Sequence, residues 1–328
     1  MMGAFLSRKS VMLALVVTVA LSLGACTKLK DAAKEMQPGQ AFLDSRIPAD
    51  LSPQYYPPNG FVWSAYRAGS LPEARYGVAS PPINPKAQVL ILADADYPAE
   101  VYFELMQQLL DQGYGAWLLE APGQGGSGHY LLQNQSIHTN SYHDSQLTAR
   151  DFITDIIKPS ADKPVFIIGT GYSAVTALSL STLLKDDNLK GFIGYDLYLG
   201  GPITKGEAWH RDAAEPGYWG GIAQSWRMSN PDLRMRQKSD GWQKQMHKAY
   251  ANLNGLQLPL TSLRKDAQVI VIETKIATTD QVNTARSLCS RLSRCKLQTA
   301  GDPHTLGTEI SAFIETQLPD IDQATDYK

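Results

Sequence analysis

Three features of the chain predict an α/β fold with a mostly parallel central sheet flanked by helices. Short runs that are apolar at every position recur, the pattern of strands buried on both faces. Between them lie stretches whose apolar residues recur at three- and four-residue spacing, which marks helices with one buried stripe. The two kinds alternate along the chain, and such alternation builds βαβ units with parallel strands.

The elements follow in order. Residues 88–93 (QVLILA) form the first fully apolar strand, and 101–110 (VYFELMQQLL) a helix. A strand at 115–119 (GAWLL), a helix over 144–157 and a strand at 165–168 (VFII) come next. Beyond these, the pattern predicts a helix over 174–184, strands at 191–195 and 269–272, a helix over 284–292, a strand at 296–299 and a helix over 309–318. From about 200 to 263 the alternation stops. That segment carries Trp209, Trp219, Trp226 and Trp242, many charges and no strand-like run, so it reads as a helical lid inserted on the sheet. Its tryptophans suit packing better than a ligand cage.

Of 328 residues, 43% are hydrophobic and the net charge is −2, which excludes disorder as the dominant state. The balance of 30 basic and 32 acidic side chains gives no electrostatic footprint for nucleic acid.

The first residues read as an address. Arg8 and Lys9 precede an apolar run that ends in Leu23-Gly24-Ala25-Cys26. The run is about 13 residues, short of the roughly 20 that span a bilayer, so residues 1–25 read as a cleaved signal peptide. Cysteine after Leu-Gly-Ala resembles the bacterial lipobox. The resemblance implies a lipoprotein acylated, as by palmitate, at Cys26. Thr27 in place of aspartate implies the outer membrane, facing the periplasm. Residues 26–60, with Pro48, Pro53, Pro57 and Pro58, read as a lipid-anchored tether, 61–320 as the folded domain and 321–328 as a tail. In an oxidising compartment Cys289 and Cys295 stand either as a disulfide or as two free thiols.

The loop Glu120-Ala121-Pro122-Gly123-Gln124-Gly125-Gly126-Ser127 follows a strand but lacks the lysine of a phosphate-binding loop. It resembles the D-x-R-G-Q-G-x-S turn of the α/β-hydrolase fold, within the lysophospholipase and monoacylglycerol lipase group of serine aminopeptidase type. Upstream, residues 74–79 with Pro81-Pro82 are similar to that group's opening hairpin. Downstream, Asn230-Pro231-Asp232-Leu233 is similar to its lid, and Gly301-Asp302-Pro303-His304 to its histidine loop.

The resemblance implies a nucleophile in G-x-S-x-G, on a strained turn between strand and helix. No such pentapeptide occurs. Overlaid without gaps, Gly169-Thr170-Gly171-Tyr172-Ser173-Ala174 puts Gly171 at the nucleophile position and Ser173 early in the helix. A frame two residues later makes Ser173 the nucleophile, at the cost of β-branched Val175 where the turn needs a small residue. The family's acid position falls on Ala277. Asp280 is the nearest carboxylate, and its other reading is the N-cap of a helix over 281–292. His304 falls where the family's histidine belongs. At the oxyanion end, Asp94 and Asp96 follow the first core strand and oppose developing negative charge. No metal-ligand spacing includes Asp94, Asp96 and His304, so neither metal nor cofactor is expected.

Two functions remain open. One is a lipid-anchored, catalytically degenerate relative, a pseudoenzyme of the cell envelope that binds a lipid or acyl ligand or an envelope protein. The other is a carboxylic-ester hydrolase using Ser173, His304 and Asp280.

Overall fold

The computed structural model describes residues 39–131, 136–197, 201–215, 217–235, 237–254, 268–273, 278–292, 294–299 and 303–318. Among the described residues eight strands lie in one sheet, in the order β1-β2-β4-β3-β5-β6-β7-β8. Strands β1 (Val62–Tyr66) and β2 (Ala74–Ala79) form an antiparallel hairpin at one edge, and β2 also pairs antiparallel with β4 (Gly115–Leu119). The remaining ladders are parallel: β3 (Gln88–Leu92) with β4 and β5 (Val165–Thr170), then β6 (Leu189–Tyr195), β7 (Gln268–Glu273) and β8 (Cys295–Thr299).

Helices α1 (Phe103–Asp111), α2 (His143–Phe152) and α3 (Ser173–Leu183) follow β3, β4 and β5. Helices α4 (Gly220–Ser229) and α5 (Asp240–Asn254) belong to the insertion after β6, while α6 (Thr279–Arg291) and α7 (Leu306–Glu315) follow β7 and β8. Strand alternation divides the core. Val89, Ile91, Phe166 and Ile168 pack with Phe103, Met106 and Ile310 on one face, while Leu90, Leu92 and Ile167 pack with Phe152, Ala174 and Leu178 on the other. From β3 the chain steps to β4 on one side, then returns past β3 to β5 on the other. The carboxyl ends of β3 and β5 are therefore the topological switch point, where such sheets open a crevice.

Three elements differ from their sequence expectations. Residues 39–60 do not all form a free tether. The Glu73 N–H donates to Gly39 O (2.7 Å), Ala41 N–H to Glu73 Oε2 (3.0 Å) and Phe42 N–H to Gly126 O (2.7 Å), and Leu51 is buried. Further along this strap, Arg46 N–H donates to Asn230 Oδ1 (2.6 Å), and Asn230 returns a bond to Arg46 O (2.9 Å). Proline-rich chain can dock in this irregular way without any periodic pattern. Helix α6 begins at Thr279, ahead of its expected start. Its N-cap is Thr278, in a reciprocal capping box with Gln281, so Asp280 caps nothing. Helix α7 begins at Leu306 and ends at Glu315, a register earlier than its apolar pattern suggests.

A buried ion network fixes the hairpin to the sheet. Arg75, fully buried, donates to both Glu100 oxygens (2.8 Å each) and to Glu120 Oε2 (2.9 Å), and its guanidinium lies 3.9 Å from the Trp63 ring centroid. Glu120 also accepts from the N–H groups of Ala99 and Gly126 (2.9 Å each). Burial and neighbouring Glu100 push the Glu120 carboxyl up, against the pull of Arg75. The glycine-rich loop folds around this network: a Cβ at Gly126 would come 2.6 Å from the Arg75 guanidinium carbon. Near the far edge, Cys289 and Cys295 are joined by a disulfide between α6 and β8.

Candidate functional site

Strand β5 is central and wholly buried, so the turn at its carboxyl end emerges in the switch-point crevice. Gly171 makes that turn, with φ +54°, and α3 starts two residues later. This left-handed conformation is what a strand-to-helix elbow demands, and glycine adopts it without a Cβ penalty. Where a nucleophile's side chain would project, another residue stands instead. A Cβ on Gly171 would lie no more than 2.8 Å from Cγ, Oδ1 and Oδ2 of Asp94.

Asp94 reaches that place from the loop after β3. Its Oδ1 accepts the Tyr172 N–H (3.0 Å) and the Ala95 N–H (2.6 Å). In this fold the oxyanion hole consists of the amide after the nucleophile and an amide from the loop after this strand. Tyr172 and Ala95 hold those positions here, so the hole is built and the protein's own carboxyl fills it. Behind it, the Asp94 N–H donates to Tyr102 Oη (3.1 Å), which shares a hydrogen bond with Thr170 Oγ1 (2.6 Å). Asp94 is 3% exposed. Burial, then the charge of Asp96, pushes its carboxyl well above the usual range, while Lys238 and the two amides pull it back.

Asp96 fastens the lid. Its carboxylate pairs with the buried Lys238, and its backbone oxygen accepts from Arg227 Nη2 (2.8 Å). Arg227 also pairs with Glu215. The Lys238 ammonium lies 5.0 Å from the Tyr172 ring centroid and 5.6 Å from that of Trp242. Trp242 packs edge-on against Tyr172, and Trp226 against Phe103; both tryptophans are fully buried, which is a packing role. Under the lid lies a cavity of about 650 Å³, lined by Asp96, Tyr97, Trp209, Arg227, Met235 and Lys238 among others. In its walls Lys238 pairs with Asp96 and Arg227 with Glu215, and its surface mixes polar with apolar groups.

Ser173 and His304 are each engaged by other groups. Ser173 accepts from Thr170 N–H (2.9 Å) through Oγ, which lies 2.5 Å from Leu92 O and 2.9 Å from Thr170 O. Backbone thus takes up the hydroxyl, under the elbow rather than at its tip. His304 sits in the turn before α7, where its Nδ1–H donates to Glu104 Oε1 (2.7 Å) and the Tyr218 hydroxyl lies 2.8 Å from Nε2. Burial, Tyr55 and Glu104 push the Tyr218 phenol upward. Asp280 is exposed in the first turn of α6. Among the described residues no hydrogen bond or ion pair joins Ser173 to His304, or His304 to Asp280. Ala277 lies outside the described residues, and among those described no cluster of three acidic, histidine or cysteine side chains could hold a metal ion.

The sequence marks Asp94 and Asp96 as opposing charge, not as the filler of the hole and the fastener of the lid, and it does not single out Glu104, Tyr218 or Lys238. The available signal was complementary: a glycine at the elbow leaves space, and an aspartate after the first core strand can occupy it.

Residues 83–204 match the family model described as serine aminopeptidase, S33. No curated protein sequence matches the chain. Among solved structures, a soluble variant of monoglyceride lipase from Saccharomyces cerevisiae, in complex with a substrate analogue, is 12% identical with a TM-score of 0.61, covering 82% of this chain and 100% of its own. Monoacylglycerol lipase from Paleococcus ferrophilus is 14% identical with a TM-score of 0.55, covering 78% and 98%. A carboxyl esterase from Bacillus coagulans, in complex with glycerol, is 10% identical with a TM-score of 0.55, covering 79% and 99%. Sheet order, elbow, lid and these likenesses together give the chain the α/β-hydrolase fold.

Proposed function

We propose that this protein is a non-catalytic α/β-hydrolase, anchored in the cell envelope by lipid on Cys26, that binds an acyl-containing ligand or an envelope protein through the cavity under its lid. The observation that carries the reading is Asp94. Acyl transfer needs a nucleophilic atom at the elbow and two free amides for the oxyanion. Residue 171 has no side chain, and an Asp94 oxygen holds both amides. A substrate carbonyl has no access to the hole while that carboxyl remains. The cavity is of the size that encloses a small ligand, and it lies beside the filled hole rather than in it.

The test is turnover of p-nitrophenyl butyrate, a monoacylglycerol and lysophosphatidylcholine by the purified full chain, beside Ser173→Ala and His304→Ala. The expected result is equal background in all three proteins and no labelling by a fluorophosphonate probe. Activity abolished by both substitutions would establish the serine hydrolase instead. For the anchor, Cys26→Ala should move the protein from the membrane fraction to the soluble one. Retention of that variant in membranes would remove the lipid from the proposal.

A further inference from the structure

The strap is joined to β1 by a turn that carries its own nucleophile. We infer that Asn59 is a self-modification site, at which the backbone nitrogen of Gly60 attacks the side-chain amide and converts the residue to isoaspartate or aspartate.

The turn spans Pro58, Asn59, Gly60 and Phe61 and is closed by the Phe61 N–H, which donates to Pro58 O (3.0 Å). Gly60 has φ +76°, the left-handed value that the third position of a type II turn demands. Both Asn59 and Gly60 are exposed. A Cβ on Gly60 would meet no atom within 4 Å, so nothing crowds the attacking nitrogen. Among the described residues no group accepts the Gly60 N–H, which leaves that nitrogen free to react.

The fold guards the other described asparagines. Asn84 and Asn230 precede prolines, whose nitrogens have no proton to give up. After Asn140, the Ser141 N–H donates to Asp144 Oδ2 (3.3 Å), and after Asn188 the Leu189 N–H donates to Asp186 O (3.1 Å). Asn252 and Asn283 stand inside α5 and α6, whose hydrogen-bond ladders engage the amides that follow them. Asn254 ends α5 and precedes Gly255, which lies outside the described residues.

The step balances without a co-reactant other than water. Gly60 N gives its proton to water and bonds to Asn59 Cγ, and the amide nitrogen leaves as ammonia, closing a succinimide ring. Water then opens the ring. Attack at the side-chain carbonyl leaves aspartate, and attack at the backbone carbonyl leaves isoaspartate, in which the main chain runs through an added methylene. Pro58 is buried on one side of the turn, and the Phe61 ring packs edge-on against Trp63 and Phe103 on the other, so the longer joint lies between two held residues.

The test is peptide mass mapping of the purified full chain, stored folded at mildly alkaline pH and sampled over weeks. The peptide holding Asn59 should gain the mass of amide-to-acid exchange and split into two species of identical mass. Peptides holding Asn140, Asn188 and Asn283 should stay unchanged in the folded protein and convert in urea, where their guarding hydrogen bonds are gone. Asn59→Gln, whose longer side chain closes a ring far more slowly, should lose the signal at this site. An Asn59 peptide that converts in urea but not in the folded protein overturns the inference, as does conversion of Asn140 or Asn188 as fast as Asn59 in the folded protein.

Discussion

At the scale of single residues, two side chains decide the chemistry. Ser173 is the serine nearest the elbow, yet its hydroxyl ties the end of β5 and the end of β3 to the first turn of α3. Ser173→Ala should therefore cost about 1 kcal/mol in urea denaturation, the worth of a hydrogen-bonded hydroxyl, and leave any ester turnover unchanged. Asp94 titrates in the opposite sense from a salt-bridged carboxylate. Its folded pKa is raised, so its contribution is fully present below the ordinary carboxyl value of about 3.9 and is lost as pH rises through the folded value. Compared with Asp94→Asn, the wild type should lose melting temperature as pH rises above the ordinary carboxyl range; a constant difference between the two would contradict the raised pKa. The glycine at the elbow was legible in the sequence, from an ungapped overlay of a motif. The role of Asp94 was not, because it depends on two loops 78 residues apart meeting around one oxygen.

At the scale of elements, legibility followed burial. Strands β3, β5 and β6 are covered on both faces, so their sequences are mostly apolar and announce themselves. The edge strand β1 is only half-buried, and nothing in its periodicity separated it from its surroundings. Helix α6 shows a competition between caps, in which Thr278 with Gln281 satisfies two backbone donors where Asp280 would satisfy one. The lid was legible as a helical insertion, but its attachment was not, since Lys238 and Asp96 carry no local pattern. Asp96→Ala should leave Lys238 buried without its carboxylate, at a cost of about 2 kcal/mol, less than for a fully buried pair because Asp96 is 35% exposed. Lys238→Met, which removes the charge itself, should cost less than Asp96→Ala. Chemical denaturation of both variants measures this, and limited proteolysis should nick the lid of Asp96→Ala sooner than that of the wild type.

At the scale of the whole molecule, Arg75 is the point where distant parts meet. Its side chain contacts Glu100 before α1, Glu120 after β4, Trp63 in β1 and the backbone oxygen of Phe42 in the strap. An arginine in a strand reads as a surface residue until its partners arrive from elsewhere in the chain, which is why no local pattern revealed it. Arg75→Met would strand two buried carboxyl groups, and the expected loss is about 3–5 kcal/mol by urea denaturation. A loss under 1 kcal/mol would show that the network is not what joins hairpin to sheet.

The strap has a mechanical consequence. Along the chain from Gly39, the bonds to Glu73 and Gly126 come before the pair between Arg46 and Asn230. Tension entering from the amino-terminal side is therefore borne first by the hairpin and the glycine-rich loop, both braced by Arg75. The lid lies downstream of that load path, so a tug on the leading chain meets the hairpin and the glycine-rich loop before it can reach the cover of the cavity.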